Sequence, residues 1–320
     1  MQFLFTVAIC TYNGENRLSQ LLDSLLLIDL IDSDRPNWEV IVIDNNSTDK
    51  TQEILQEYQQ KLSLKVQFKY FFESRQGVAF ARRRAIKEAS SPIVGFLDDD
   101  NLPRRDWVIN AYNFFDKNPQ IGACGSLVRA NYEVNPPQNF QRIAPFLAIV
   151  ERGEKPLLSN SVLPPGAGLV IRKKAWLENV PEEPVLLGRV SNSLLSKGEE
   201  IEALCYIQKA GWEIWYNPEM MIYHDIPSSR LQEEYLLKLV AGVGLSRYHT
   251  RTIAVKKWQK PFLLFAYLVN DLRKLIWHIA RYSAILPQDI VAACEFKLML
   301  KSFISPFYFL WFYRRLSVHQ

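Results

Sequence analysis

The chain has 320 residues, 48% of them hydrophobic, enough for a sizeable packed core, and a net charge of only +4. That charge is uneven: residues 230–320 carry 14 Lys/Arg against 5 Asp/Glu, and the remainder 24 against 29, so an acidic front and a basic, aromatic tail suggest two jobs. No apolar run reaches the roughly 18 residues of an ordinary spanning helix, and the four cysteines, far apart and without metal-type spacing, read as buried thiols in a reducing compartment.

The start, "FLFTVAIC", lacks a basic leader and reads as a first strand rather than a secretory signal. In "NRLSQLLDSLLL", Leu18, Leu21, Leu22, Leu25 and Leu26 recur at helical spacing. "WEVIVID" predicts a second strand and "TQEILQEYQQKL" a second helix, with Ser47 or Thr48 as its cap. "LKVQFKYFF", "QGVAFARRRAIKEAS", "PIVGFL" and "DWVINAYNFFDKN" continue as strand, helix, strand and helix. This alternation predicts an α/β fold, a mostly parallel sheet with helices on both faces. Ligands gather at the carboxyl ends of the strands in such sheets. Thr11, Tyr12 and Asn13 follow the first strand, Asp44 ends the second, and Asp98, Asp99 and Asp100 end the fourth. Each ending alone is ordinary turn chemistry; three at one edge are harder to dismiss. Three adjacent carboxylates repel unless a cation or a hydrogen-bond donor compensates, so this stretch is a candidate divalent-metal site. A solvated turn with a helix cap is the plainer alternative.

From about Gly125 to Lys197 the pattern is less regular, with clustered Pro and Gly. Gly166 and Gly168 allow close backbone approach to a ligand or another strand, and "GLVIR" reads as a strand. Glu199 and Glu200 open a helix that continues through Ile201, Leu204, Cys205 and Ile207 and ends at Gly211. "EIWYN" and "MMIYH" predict two short strands, and His224, at the end of the second, is a candidate metal ligand. From Glu233 the chain reads helical. Phe265, Leu268, Val269, Leu272, Leu275, Ile276 and Ile279 form an apolar stripe, with Asn270, Asp271, Arg273, Lys274 and Arg281 facing elsewhere. Basic amphipathic helices lie on anionic membranes, and "FISPFYFLWFYRR" adds aromatic mass at headgroup depth. The other reading packs the stripe on the rest of the chain or on a second subunit.

The ordered set "TYNG", "VIDNNSTDKT", "GVAFARRRA", "FLDDDNLP", "GAGLVIR", "GEEIEA" and "YHDIP" resembles the family 2 glycosyltransferases with the GT-A fold, over roughly residues 3–228. "NFQRIAPFLAIVERG", "LPPGAGLVIRKKAWLE", "ALCYIQKAGWEIWYNPEM" and "YLVNDLRKLIWH" further resemble the hormogonium polysaccharide biosynthesis glycosyltransferases of cyanobacteria. The resemblance implies a nucleotide-sugar donor, a UDP-sugar favoured, with Mn2+ or Mg2+, and a saccharide or lipid-linked saccharide acceptor in exopolysaccharide synthesis. Carried over by motif, Asp98 lies toward ribose and metal, Asp100 coordinates the metal, and His224 ligates it in some relatives. Asp44 accepts a hydrogen bond from uracil, Thr11 and Tyr12 meet the nucleoside, Glu15 lies near the base, and Arg82 stands at the nucleotide end. Asp99 matches no fixed role, and Arg83 stands where the family usually has Asn. Gly166 and Gly168 approach the donor sugar. Glu200 occupies the place of the family's general-base Asp, although Glu199 can serve instead; a single displacement with one base inverts the anomeric configuration. Trp212 is the candidate for stacking on the acceptor.

The division implied is a catalytic domain over residues 1–229 and a helical, basic, amphipathic region over 230–320 for a membrane surface or oligomer contact. Expected with it is a cytoplasmic protein, peripheral on the inner face of the plasma membrane. Nucleic acid is not an expected partner, since nothing resembles a base-reading motif. Two other readings remain. A nucleotidyltransferase needs a Gly-rich basic phosphate loop, which "CTYNGENR" matches poorly. A non-catalytic sugar- or nucleic-acid-binding module would release no nucleoside diphosphate from a panel of nucleotide sugars.

Overall fold

The structure, a computed structural model, describes residues 3–28, 37–160, 162–188, 197–286 and 288–316, with 312–316 by backbone alone. The front half alternates as expected: β1 (Phe5–Thr11), α1 (Leu18–Leu26), β2 (Trp38–Asp44), α2 (Thr51–Leu62), β3 (Gln67–Phe72), α3 (Val78–Glu88) and β4 (Ile93–Asp98). These strands lie side by side as β3-β2-β1-β4, all parallel. Every residue of β1 and β2 is buried, which is why both read as unbroken apolar runs. Neither Ser47 nor Thr48 caps α2. Lys50 holds the cap position, and Asp49 just before it braces the first turn, its Oδ1 accepting the Thr51 amide at 3.0 Å and the Thr51 hydroxyl at 2.5 Å.

Beyond β4 the sheet becomes mixed. β5 (Asn101–Pro103), α4 (Trp107–Lys117), β6 (Ile121–Tyr132), β7 (Leu157–Leu158), β8 (Val170–Arg172), α5 (Lys173–Asn179), α6 (Glu199–Lys209) and β9 (Glu213–Ile226) follow. β8 runs antiparallel between β4 and β6, β6 is parallel to β9, and β5 is antiparallel to β9. The two short strands expected at "EIWYN" and "MMIYH" are one strand, β9, because pairing along β6 continues through a bulge where the register jumps from Ser126↔Asn217 to Leu127↔Met221.

One face of the sheet is packed by Phe5, Leu18, Leu22, Trp107 and Phe115, the other by Ile41, Phe96, Trp176 and Ile207. A further core joins Phe140, Ile143 and Leu147 to Leu236, Leu239, Val291 and Leu298. The last four belong to α7 (Glu233–Thr252) and α9 (Ile290–Leu316). Between them α8 (Lys260–Tyr282) buries Leu275, Asp271 and His278 and leaves Phe262, Phe265, Val269 and Ile276 exposed. Two details of the expected stripe change: Leu275 turns inward, and Asp271, expected on the polar face, is buried and accepts Arg251 Nη1 at 2.7 Å. The aromatic side chains expected at 312–313 lie outside the described side chains. The four cysteines are free thiols, and among the described residues no helix is long and apolar enough to cross a membrane.

Candidate active site

Register builds the site. The parallel pairing sets Thr11 beside Asp44 and Cys10 beside Asp98, so β2, β1 and β4 end along one edge. The antiparallel pairing sets Asn101 opposite His224, which brings the last of the three aspartates to β9.

Each of the three consecutive carboxylates meets its own arginine, from a different part of the chain. Asp98 Oδ1 accepts Arg82 Nη2 at 3.2 Å, from α3. Asp99 accepts Arg17 through both oxygens, at 2.9 and 3.0 Å, and the Thr11 hydroxyl at 2.8 Å. Asp100 Oδ2 accepts Arg230 Nη2 at 2.5 Å, from the 3-10 turn that follows β9. Guanidinium groups thus offset the mutual repulsion of the triplet. Asp99, assigned no role by motif, turns inward; burial raises its pKa, opposed by Arg17. Thr11, expected at the nucleoside, spends its hydroxyl on Asp99.

Arg82 is the hub. Buried itself, it donates through Nη1 to Glu199 Oε1 at 3.1 Å and lies 3.9 Å from Glu200 Oε2. Burial works against its charge, but Asp98, Glu199 and Glu200 outweigh that and raise its pKa. Glu199 and Glu200 open α6, so strand end and helix start share one cation. Burial, with the adjacent Glu199 charge, pushes Glu200 up to about 8. A small cleft lies against this group, lined by Ala79, Arg82, Trp176, Pro181, Glu199 and Glu200. Arg83 lines the same cleft but spends its donors on the Pro181 carbonyl and on Glu182 rather than on the carboxylates of the cluster.

The remaining expected residues divide. Gly166 belongs to the cluster: a Cβ there would meet Arg82 Nη2 at 2.2 Å. Gly168 does not. Its φ is +64°, a Cβ would strike Ser126 and Ile222, and its carbonyl accepts the Ser126 hydroxyl at 2.6 Å, so its close approach is to strands rather than to a ligand. Asp44, buried, accepts the Ser47 amide at 2.9 Å and the Tyr70 hydroxyl at 3.2 Å. Tyr12 projects from the same edge with 44% of its surface exposed. Glu15 Oε2 accepts the Lys50 amide at 3.1 Å, clamping the turn before α2. Trp212 is not brought to this cluster. It follows the far end of α6, roughly 16 Å of helix from Glu199, and packs against Gly122 and Ile207.

The set fits a divalent ion in a limited way. Asp100 Oδ1 and His224 Nε2 stand 3.4 Å apart, near the roughly 3 Å expected of adjacent ligands on one ion. Arg230 Nη1 lies 3.0 Å from His224 Nε2, and a guanidinium has no lone pair to offer. His224 Nε2 is therefore the acceptor and carries the lone pair a metal uses, while its buried Nδ1 has no hydrogen-bond partner among the described residues. No three His, Cys, Asp or Glu side chains among the described residues form a ready metal set. The chemistry suits a hard ion that shares its coordination with a diphosphate, as Mg2+ commonly does, rather than an all-protein cage.

Sequence reasoning missed Arg17, Arg230 and Tyr70. The first two answer a charge balance the triplet itself demanded; Tyr70 had no local signal.

The family model for glycosyl transferase family 2 matches residues 6–176, more than half of the chain. The chain belongs to that family. This glycosyltransferase is 30% identical over 146 residues to the poly(ribitol-phosphate) beta-N-acetylglucosaminyltransferase TarS of Staphylococcus aureus, covering 46% of this chain and 25% of that one. It is 29% identical over 109 residues to the UDP-Glc:alpha-D-GlcNAc-diphosphoundecaprenol beta-1,3-glucosyltransferase WfgD of Escherichia coli, covering 34% and 38%. The matches thus span a quarter to two fifths of these relatives' length. Among solved structures, the mannosyltransferase PcManGT from Pyrobaculum calidifontis, in complex with GDP-Man and Mn2+, aligns with a TM-score of 0.58 at 17% identity, over 97% of this chain and 88% of that one. At that identity the likeness establishes the shared GT-A fold. The family match lends no support to a nucleotidyltransferase or a binding module.

Proposed function

We propose that this family 2 glycosyltransferase is an inverting enzyme that moves a sugar from a nucleotide-sugar donor, a UDP-sugar favoured, to a saccharide or lipid-linked saccharide acceptor. The observation that carries the reading is Arg82, which ties Asp98 at a strand end to Glu199 at a helix start. Donor-side and base-side carboxylates so linked frame one reaction centre. On this reading Tyr12 offers its exposed ring to the base, and Asp44 keeps acceptor capacity for a ring N–H, since a carboxylate has about four lone-pair sites. Thr11, through Asp99, and Glu15, through the turn before α2, shape the nucleoside end. Gly166 leaves room for the Arg82 head beside the sugar. Asp98, Asp100 and His224 are the residues that would hold Mn2+ or Mg2+, which when bound supplies Lewis-acid stabilisation of charge on the leaving diphosphate.

Glu200, or Glu199 in its place, takes the acceptor hydroxyl proton as that oxygen bonds to the anomeric carbon and the bond to the diphosphate breaks on the opposite face. The raised pKa of Glu200 suits a base working near neutral pH. Residues 1–229 supply this chemistry, and residues 230–320 bring it to its acceptor. The exposed Phe262, Phe265, Val269 and Ile276 of α8, with Arg273, Lys274 and Arg281 beside them, match an anionic membrane at the cytoplasmic face. The diphosphoundecaprenol acceptor in the name of WfgD supports a lipid-linked acceptor here. An exopolysaccharide product is the reading that the sequence motifs resembling the hormogonium polysaccharide enzymes would favour.

The test is a panel of UDP-, GDP- and dTDP-sugars with Mn2+ or Mg2+, followed by release of the nucleoside diphosphate and the anomeric configuration of the product. Release dependent on metal and abolished in Asp100→Ala is expected. Metal-independent release that survives Asp100→Ala would sink the metal reading, and retained configuration would sink inversion.

A further inference from the structure

Of the three arginines facing the aspartate triplet, Arg230 is set apart by where it stands. Arg82 is locked by three carboxylates and covered by Gly166. Arg17 lies at the outer end of the group, on Asp99. Arg230 alone touches both members of the pair that fits a divalent ion: Nη2 donates to Asp100 Oδ2 at 2.5 Å and Nη1 to His224 Nε2 at 3.0 Å. Both partners are buried, with side chains 2% and 5% exposed, so this pair is satisfied by a cation drawn from the chain itself. The arginine sits on a 3-10 turn of four residues, Ser228–Leu231, just after β9, so its head can move without disturbing the sheet.

We infer that Arg230 is the resident cation of the site, holding Asp100 and His224 until a divalent ion arrives together with a diphosphate and displaces it. This rests on the metal reading proposed above. The argument is one of competition. A lone ion meeting two protein ligands must shed water and also break a buried, charge-assisted bond between Arg230 and Asp100. An ion carrying a diphosphate brings further oxygen ligands, and gives the released guanidinium an anionic partner. The chain therefore holds metal weakly alone and firmly with nucleotide. Arg230 is a positioning residue in this account, since it acts through Asp100 and His224.

The experiment is titration of Mn2+ into the full chain, following the electron paramagnetic resonance signal of the free ion, with and without UDP. Wild type, Arg230→Gln and Arg230→Lys are compared, each checked for fold by circular dichroism. Wild type should bind Mn2+ weakly alone and much more tightly with UDP. Arg230→Gln should tighten binding of Mn2+ alone about tenfold and shrink the gain from UDP. Arg230→Lys keeps the charge but cannot bridge both partners, so its affinity for Mn2+ alone should rise part of the way; it decides the matter should the Gln variant not fold. Unchanged or weaker binding of Mn2+ alone in the variants, with wild type still taking Mn2+ alongside UDP, overturns the role of Arg230 and leaves the metal reading standing. No Mn2+ bound by any of the three, even with UDP, overturns both.

Discussion

Glu200 and Glu199, the two carboxylates proposed for the base, are separated by their surroundings. Glu199 is held by Arg82, whereas Glu200 is pushed from 4.5 up to about 8 by burial and by its neighbour. A carboxyl whose folded pKa lies above its unfolded value binds its proton more tightly when folded. Its contribution to stability is then complete below the unfolded value and is lost as pH climbs through the folded one. Glu200→Gln should therefore melt above wild type at about pH 9 and level with it at about pH 4 in thermal scans. The same variant should keep donor binding and lose turnover, and wild-type kcat/KM should rise with pH toward about 8. Retained turnover in Glu200→Gln, with loss in Glu199→Gln, would move the base to Glu199. Asp99 serves a different end. Its bonds to Arg17 and Thr11 fasten the end of β4 to the loop after β1, so Asp99→Ala should cost about 2 kcal/mol in urea unfolding.

At the scale of elements, the segment leading into β8 does two jobs two residues apart. Gly166→Ala would drive a methyl into the Arg82 head, while Gly168→Ala would strain a left-handed backbone against Ser126. The first should lower kcat by at least about tenfold and lower the melting temperature as well, since Arg82 is a buried ion-pair hub. The second should lower stability by about 1–2 kcal/mol and leave kcat near wild type. Calorimetry beside steady-state kinetics separates the two. Elements buried on both faces announced themselves: β1, β2 and β4 are continuous apolar runs whose ends fix where Asp44, Thr11 and Asp98 stand. β6 was not legible, because "IGACGSLVRANY" is rich in small residues and offers neither alternation nor a β-branched run. β9 looked like two strands because Asn217–Pro218–Glu219 reads as a turn, whereas pairing along β6 carries the strand across it. The arginine partners were illegible for a similar reason. Asp100 and Arg230 lie 130 residues apart, and only the register of β5 on β9 joins them. The distance of Trp212 from the cluster was illegible too, because a tryptophan after a glycine looks the same in sequence whether it faces solvent or a neighbouring strand.

At the scale of the molecule, the basic helices supply both an outer face and an inner one. The outer face of α8 predicts that Phe265→Glu with Ile276→Glu will abolish sedimentation with anionic lipid vesicles and leave the melting temperature unchanged, since both side chains are exposed. Raising salt should weaken wild-type binding as well. The inner face reaches the helix that carries the two glutamates. Glu202, one turn along α6 from Glu199, accepts the amides of Val185 and Leu186 at 3.1 and 2.7 Å, and His249 of α7 stands 3.0 Å from its Oε1. His249 in turn stacks on Phe309 of α9, which shares a small core with Leu186. Residues 230–320 therefore act as a splint behind the pair of glutamates. Trimming the protein back to residues 1–229, a common economy at the bench, would leave Leu186 uncovered and Glu202 buried without its imidazole. Poor turnover from such a fragment would report a slackened base helix, and would say nothing about whether the intact enzyme is slow.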